Sequence, residues 1–364
     1  SGRTGAGIDP CAALQVKFDL MDGAEKKIVF MLGNEENTHA ADALIRKFTD
    51  PAVVSQSLQD VKEYWNEVLG TVQVSTPDKA LNILANGWLT YQTLACRMFA
   101  RSGFYQSGGA FGFRDQLQDS LALLHTQPNM AREQILLSAS RQFAEGDVQH
   151  WWHPPEGRGV RTRCSDDMLW LPFVVSRYLT ATGDTDILAV PIGFLESRIL
   201  LEGEETLYDL PISGTLSGTL YEHCVRAIRY SLKYGQHGLP FIGAGDWNDG
   251  MDQVGHKGVG ESVWLAFFLY DVMIRFQGVA KNYGDAAFAE TCIKEAAALQ
   301  LNIEASGWDG EWYRRAYFDD GSPLGSKENE ECRIDAIAQS WSVLSGAGNV
   351  GRRNQAMESL DKFL

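Results

Sequence analysis

The sequence has little positive charge and no long apolar run. Its 32 lysines and arginines are outnumbered by 47 aspartates and glutamates, which gives a formal net charge of −15. Because nucleic acids and anionic membrane surfaces attract basic faces, this balance argues against a nucleic-acid partner and favours a neutral substrate. No run approaches the ~18 consecutive apolar residues of a membrane-spanning helix. The first residues lack the basic and apolar segments of a signal peptide.

The sequence also lacks the patterns of metal, nucleotide and serine-hydrolase sites. Its six cysteines are widely spaced without a CxxC pair, which argues against a structural zinc site and favours reduced thiols in a cytoplasmic protein. There is no GxSxG, P-loop, HExxH or strand-linked GxGxxG segment. We therefore expect no metal and no cofactor.

Apolar spacing predicts a short β segment followed by helices. Apolar residues alternate over 14–20, and the turn signal Asp22-Gly23 leads to an apolar run over 28–32, so two strands are predicted. After residue 37 the spacing becomes helical. Helices are predicted near 115–126, 130–145, 165–182, 217–234, 261–280, 283–300, 334–346 and 351–364.

Long loops rich in Gly, Trp, Asp and Arg separate these predicted helices. This favours a mainly α fold in which helical hairpins close into an α/α toroid, whose loops meet at one functional end. The chain opens in a glycine-rich segment, and it closes in an amphipathic pattern over 357–364 without a capping signal. We therefore expect it to be a piece of a longer protein.

The segment 243–250 carries the clearest chemistry. Asp246 and Asp249 bracket Trp247 and Asn248 in a glycine-flanked loop. Sugar chemistry uses this mixture, because an aromatic face stacks on a pyranose, polar groups bind hydroxyls, and a carboxylic acid protonates the leaving oxygen. An Asx-rich turn that satisfies its own backbone explains the same composition equally well.

Two further segments have both a structural and a sugar-binding explanation. Arg114 and Asp115 begin a predicted helix, where a helix cap with a surface ion pair is the more common explanation and a clamp for sugar hydroxyls is the alternative. The segment 147–167 contains His150 and His153, but the intervening tryptophans and following prolines argue against a metal site. We favour a sugar-facing aromatic loop there. Its arginines could attract an anionic ligand, but exposure to solvent in a loop is the preferred explanation. The aromatic and charged segment 308–341, which includes Gln339 and Trp341, fits sugar binding or a buried tryptophan pair.

Together these segments resemble glycoside hydrolase family 94. The resemblance rests on GAGDWNDG (243–250), GFRDQLQD (112–119), QHWWHPP (149–155) and IDAIAQSW (334–341). The family contains cellobiose, chitobiose and 1,2-β-oligoglucan phosphorylases and the C-terminal region of cyclic β-1,2-glucan synthases. The segments 105–119 and 312–326 are most similar to the β-1,2-glucan branch.

The resemblance implies an architecture and roles for residues. Residues 1–33 would be the tail of a β-sandwich, 34–72 a helical linker, and 73–364 most of an (α/α)6 barrel. Asp249 would be the proton donor. Sugar-binding residues would be Arg114, Asp115, Asp246, Trp247, Asn248, Gln339 and Trp341, with Asp246 in a supporting role.

The implied function is inverting phosphorolysis of a β-linked glucan, with phosphate as co-substrate and α-glucose 1-phosphate as product. Ser107-Gly108-Gly109 stands where cellobiose phosphorylases carry an arginine, which argues against cellobiose. The family's phosphate-contacting segments would follow residue 364. The expected partners are β-glucan oligosaccharide and phosphate. A homodimer is also compatible with the sequence. So is a place within a larger membrane-associated synthase, at the cytoplasmic face of the membrane.

Two other functions stay open. An inverting hydrolase on the same fold needs a second carboxylate to activate water, for which Asp115 or Glu331 is a candidate. A glucan-binding or chain-length-sensing region of a synthase needs no catalysis. Either enzyme requires a protonated Asp249, which we expect burial or the neighbouring Asp246 to favour.

Overall fold

The computed structural model describes residues 13–99 and 109–364 and divides the chain into two units, 1–67 and 68–364. The described helices are α1 (Thr38–Phe48), α2 (Pro51–Gly70), α3 (Lys79–Ile83), α4 (Leu89–Gln92), α5 (Phe113–Leu121), α6 (Pro128–Ala139), α7 (Trp170–Thr182), α8 (Leu220–Ser231), α9 (Val263–Tyr283), α10 (Ala286–Asn302), α11 (Ala336–Leu344) and α12 (Val350–Phe363). Two π-helical turns, Leu84–Trp88 and Thr93–Phe99, flank α4.

The described strands are short. They are β1 (Phe111–Gly112), β2 (Gln149–His153), β3 (Arg158–Thr162), β4 (Pro191–Glu196), β5 (Thr206–Asp209), β6 (Ile212–Thr219), β7 (Glu261–Ser262), β8 (Ala316–Tyr317) and β9 (Pro323–Leu324). They form antiparallel sheets ordered β1-β2-β3-β5, β4-β6 and β7-β8-β9.

The first unit corrects the prediction of two N-terminal strands. The turn at Asp22-Gly23 is present, with a hydrogen bond from the amide of Ala24 to the carbonyl of Met21. The flanking residues 14–20 and 28–32 are not strands, because no described segment pairs with them. Alternation of apolar residues predicts which face a strand would bury, but a strand forms only where a hydrogen-bonding partner is present.

The second unit is built from helical hairpins. Consecutive helices pack as the pairs α5–α6, α7–α8, α9–α10 and α11–α12, and α5, α7, α9 and α11 also contact one another in that order. The odd-numbered helices thus form a contiguous series, and each also packs against the helix that follows it. The mainly helical fold is confirmed, whereas closure into a six-hairpin barrel and the predicted domain bounds remain predictions.

Helix α9 is the centre of this packing. Twelve of its residues are buried, including Trp264 and Phe268, and its N-cap is Ser262. By length and composition it is the one described helix that passes for a membrane span, yet 67% of its apolar window is buried inside the protein. Burial of that extent identifies it here as a core helix.

The connections that precede the odd helices carry the irregular structure. Residues 140–169 precede α7 and contain β2 and β3, residues 232–262 precede α9, and residues 303–335 precede α11. After residue 37 only helices and connecting loops were predicted, so β2 and β3 were not foreseen. The two strands pair with each other across a short turn, but QHWWH and RGVRT lack the apolar alternation that predicts a strand.

A buried ion pair fixes the hairpin of β2 and β3. The guanidinium of Arg161 donates to both carboxylate oxygens of Asp147, at 2.6 and 2.7 Å, and it lies 3.9 Å above the ring of Phe143. Arg161 is therefore not part of a solvated loop. Burial raises the pKa of Asp147, while Arg161 opposes that shift.

We predict that Arg161→Met destabilises the protein by about 3 kcal/mol, because it leaves a buried carboxylate without its cation. Chemical denaturation at pH 7 measures the change. The control is Arg198→Met, whose partner Glu204 lies with it at the surface, and which should alter stability little. Equal effects of the two substitutions would contradict the prediction.

Candidate active site

The start of α5, strand β2 and the loop that precedes α9 meet at an open cleft of about 820 Å³. Its lining includes the predicted residues Arg114, Asp115, Trp247, Asn248 and Asp249, together with His150, Trp151 and His153. The structure thus brings five of the eight predicted site residues into one cavity. It adds the histidines of the aromatic segment, which the sequence analysis did not assign individually.

Two Asx turns shape the loop that carries Asp249. The carboxylate of Asp246 accepts from the amide of Asn248 at 3.2 Å, and the side chain of Asn248 accepts from the amide of Gly250 at 3.0 Å. The Asx-rich turn foreseen as an alternative is therefore present. It is compatible with the sugar-site interpretation, since it leaves Trp247 46% exposed and the side chain of Asp249 56% exposed.

Asp246 anchors this loop from below. It is fully buried, and its carboxylate accepts from Arg315 at 2.6 Å and from the hydroxyl of Ser262 at 2.7 Å. Ser262 also caps α9 by accepting from the amide of Leu265. Asp246 is thus buried beneath the cleft in a supporting position. Arg315 and Ser262 were not predicted as site residues.

Glycine is required where the loop approaches the end of β3. Gly243 has a φ of +62°, and a Cβ there would lie 2.0 Å from the carbonyl oxygen of Arg163. The neighbouring amide of Ala244 donates to that same oxygen, and the amide of Ser165 donates to Gly245. The catalytic-loop candidate is therefore fastened to the segment that precedes α7.

Arg114 joins three segments at the cleft floor. Its guanidinium donates to Asp249 at 2.7 Å, to Asp166 at 3.1 Å and to the carbonyl of Asp246 at 2.9 Å. Burial would lower the pKa of Arg114, but Asp166, Asp167 and Asp249 raise it above its usual value. The expected surface pair with Asp115 is therefore wrong, because Arg114 is buried and bound to other acids.

His150 stands between two carboxylates. Its Nδ1 lies 2.7 Å from Asp167, and its Nε2 lies 3.7 Å from Asp249. Burial and Arg114 lower the pKa of His150, but the two acids raise it to about 9. Burial tends to raise the pKa of Asp167, yet His150 and Arg114 hold it below its usual value. His150 and Asp167 therefore form an ion pair at neutral pH.

Asp166 completes this charged floor. It is fully buried and accepts from the indole of Trp170 at 3.0 Å as well as from Arg114. Burial raises its pKa to about 7, and Arg114 opposes the shift. Neither Asp166 nor Asp167 was predicted as a site residue. A doubled aspartate before an apolar helix is typical of a helix start, and the contacts of Asp167 with His150 and of Asp166 with Arg114, 17 and 52 positions away, leave no local signal.

The expected environment of Asp249 is not found. Burial or the nearby Asp246 was expected to favour its acid form, but the Asp249 carboxylate is more than half exposed. Asp246 is neutralised by Arg315. Asp249 instead faces the cations Arg114 and His150.

Gln339 and Trp341 do not line this cleft. The buried amide of Gln339 bonds the backbone of Tyr313 through both of its ends, at 2.8 and 2.7 Å. Trp341 packs against Trp264 and Phe268 in the core. These contacts give both residues packing roles, so their assignment as sugar-binding residues stays a prediction. Ser107 and Gly108 lie outside the described residues, so the structure does not bear on the argument against cellobiose.

One trio of described residues could supply metal ligands. Donor atoms of His150, Cys164 and Asp167 lie within 4.8 Å of one another. Its electrostatics oppose a cation, because His150 is itself charged, and burial raises the pKa of the Cys164 thiol well above its usual range. Arg114 also lies 3.9 Å from Asp167. We therefore assign no metal to this trio.

An aromatic and carboxylate-lined cleft at the end of helical hairpins is suited to a carbohydrate-active domain. The chain belongs to the glycosyl hydrolase 94 superfamily, since the profile of its catalytic domain matches residues 64–364. The profile of the family's supersandwich domain matches residues 1–51. The resemblance seen in the sequence is confirmed.

Individual relatives include a synthase and several phosphorylases. The chain is 45% identical over 361 residues to the cyclic beta-(1,2)-glucan synthase NdvB of Rhizobium meliloti, covering 99% of this chain and 13% of that protein. It is 29% identical to the solabiose phosphorylase of Paenibacillus borealis, covering 98% and 43%. It is 27% identical to the N,N'-diacetylchitobiose phosphorylase of Vibrio proteolyticus, covering 97% and 45%. The chain thus spans less than half the length of each relative.

We predict that Gly243→Ala lowers the free energy of unfolding by about 4 kcal/mol, because the methyl group collides with backbone at a left-handed position. Gly258→Ala is the matched control, since Gly258 has a φ of +86° but open space around it. That control should cost only about 1 kcal/mol. Urea denaturation of both variants measures the difference, and a similar loss in each would exclude the close contact.

We predict that stability falls as pH rises from 6.5 to 9.5. A group whose pKa is raised on folding stabilises fully below its unfolded value, near 6.5, and loses that contribution through its folded value, about 9 for His150. The contribution is about 3 kcal/mol at most. Urea denaturation across this range should show a shallower decline in Asp167→Asn. Parallel curves for wild type and variant would contradict the assignment.

Proposed function

We propose that this chain provides the acid-catalytic part of an inverting glycoside phosphorylase. In this reaction phosphate attacks the anomeric carbon of a β-linked glucan while Asp249 protonates the departing oxygen. Inversion then yields α-glucose 1-phosphate. The observation that carries the proposal is the exposed carboxylate of Asp249, held by the buried Arg114 beside an exposed Trp247.

The cleft gives a bound sugar access both to Asp249 and to an aromatic face. The carboxylate of Asp249 is accessible to a glycosidic oxygen, and the face of Trp247 is available for stacking on a pyranose. The indole nitrogen of Trp247 donates to Gln118 at 3.3 Å, which restrains the ring. Asp115 and Asn248 line the same cleft and offer partners for hydroxyl groups.

Different relatives support the two parts of the proposal, phosphorolysis and the β-1,2 linkage. The solabiose and chitobiose enzymes are named as phosphorylases. The relative with 45% identity is named as a β-(1,2)-glucan synthase. We therefore propose a β-1,2-linked glucan as the substrate, with phosphate as the nucleophile.

One observation keeps an inverting hydrolase as the second candidate. Among the described residues that line the cleft, Asp115 is the carboxylate that accompanies Asp249. A hydrolase would use such a second carboxylate as the base that activates water. Glu331, the other candidate base, is exposed and is not part of the cleft lining.

The test supplies the full-length protein with β-1,2-glucooligosaccharides, with and without phosphate, and measures glucose 1-phosphate and free glucose. We predict phosphate-dependent glucose 1-phosphate, reduced about 1,000-fold in Asp249→Asn because general-acid assistance is lost. Asp252→Asn is the control, since Asp252 is in the same loop but outside the cleft lining, and it should retain activity.

Two other outcomes would replace the proposal. Free glucose formed regardless of phosphate, and lost in Asp115→Asn, would identify a hydrolase. Binding of the oligosaccharide without any turnover, and with equal affinity in Asp249→Asn, would identify a glucan-binding region.

A further inference from the structure

His150 has an unusual place in the β2 strand. The register of β2 against β3 shifts between Gln149 and Trp151, so His150 is the extra residue of a β-bulge. Bulges redirect a side chain and are frequent beside active sites. Here the bulged residue lines the cleft and has a side chain only 16% exposed.

Both ring nitrogens of His150 face carboxylates. Nδ1 is hydrogen-bonded to the buried Asp167, and Nε2 faces Asp249 at 3.7 Å. Asp167 fixes the orientation of the ring, since it is 2% exposed and sits at the start of a short helical turn before α7. Nε2 is therefore the nitrogen that can exchange a proton with Asp249.

The groups around the ring decide its charge. Asp167 and Asp249 favour the imidazolium, Arg114 opposes it, and Asp166 and the Cys164 thiol lie on the same side of the floor. The balance favours the charged ring at neutral pH. Arg114 cannot serve as a donor, because its pKa is raised above an already high value.

We propose that His150, oriented by Asp167, supplies the proton that Asp249 delivers to the leaving oxygen. This inference rests on the proposed function. It makes His150 a positioning residue, because it acts on the substrate only through Asp249. Asp249 transfers its proton to the glycosidic oxygen as the carbon–oxygen bond breaks. The Nε2 proton of His150 then moves to the Asp249 carboxylate, and solvent in the cleft reprotonates the ring. The protons balance over the whole reaction. Hydrogen phosphate releases one proton to solvent when it becomes the sugar phosphate, and the leaving oxygen gains one.

Kinetics against pH test the proposal. In wild-type full-length protein, kcat for phosphorolysis should decline on the alkaline side as His150 loses its proton. In His150→Gln, kcat at pH 7 should fall about 100-fold, and the alkaline limb should move to lower pH. Asp167→Asn should move the limb in the same direction. His256→Gln is the control, because His256 pairs with Asp319 away from the cleft, and it should keep the wild-type profile.

Chemical rescue separates proton supply from a structural effect. His150→Ala opens space beside the cleft, and added imidazole should restore activity with a pH dependence that follows imidazole. The same addition should not rescue Asp249→Asn. A uniform loss of kcat at every pH without rescue would assign His150 a structural role and overturn the proposal, as would a wild-type profile in His150→Gln.

A titration that does not depend on turnover separates this proposal from the proposed function. NMR of histidine-labelled protein should show that the pKa of His150 falls when Asp249 is replaced by Asn, since the two groups are coupled through Nε2. An unchanged pKa would overturn the coupling even in an active enzyme. Absence of glucose 1-phosphate from wild type would overturn only the phosphorylase proposal.

Discussion

The buried guanidinium of Arg114 is the interaction on which the site depends. Its charge is tolerable away from water only because acids and a carbonyl surround it. Asp166 is itself fully buried, so each group would be costly without the other. One cation therefore joins the start of α5, the segment before α7 and the loop before α9. The position of Asp249 follows from this bond rather than from its own loop alone.

The stacked hairpins explain why these segments can meet. Helices α5, α7, α9 and α11 contact one another in order, so the connections that precede them lie side by side. Beneath the cleft the pair of Asp246 and Arg315 repeats the same arrangement between the loops before α9 and α11. Buried ion pairs thus support the exposed carboxylate of Asp249 and the exposed indole of Trp247. A site that processes sugars needs reactive groups held in fixed positions in this way.

Helices and the Asp249 loop were predictable from the sequence, because amphipathic spacing and a glycine-flanked Asx segment are local signals. The strands before α7 were not, since their sequences, QHWWH and RGVRT, lack apolar alternation. The N-terminal alternation failed for the converse reason: the spacing was right, but the described residues offer no strand partner. The packing contacts of Gln339 could not be foreseen, because a buried amide that bonds backbone and one that bonds sugar are identical in sequence. The role of Arg114 emerged only when its partners, 52 and 135 residues away, were visible.

The central claim is that Asp249, held by Arg114, acts as the proton donor to the leaving group. The most direct test compares Asp249→Asn on two substrates in phosphate: a β-1,2-glucooligosaccharide and an aryl β-glucoside whose acidic phenol leaves without protonation. The account predicts a large loss on the oligosaccharide and a near wild-type rate on the aryl glucoside. Equal losses on both substrates would show that Asp249 binds or positions the sugar instead, and would contradict the account.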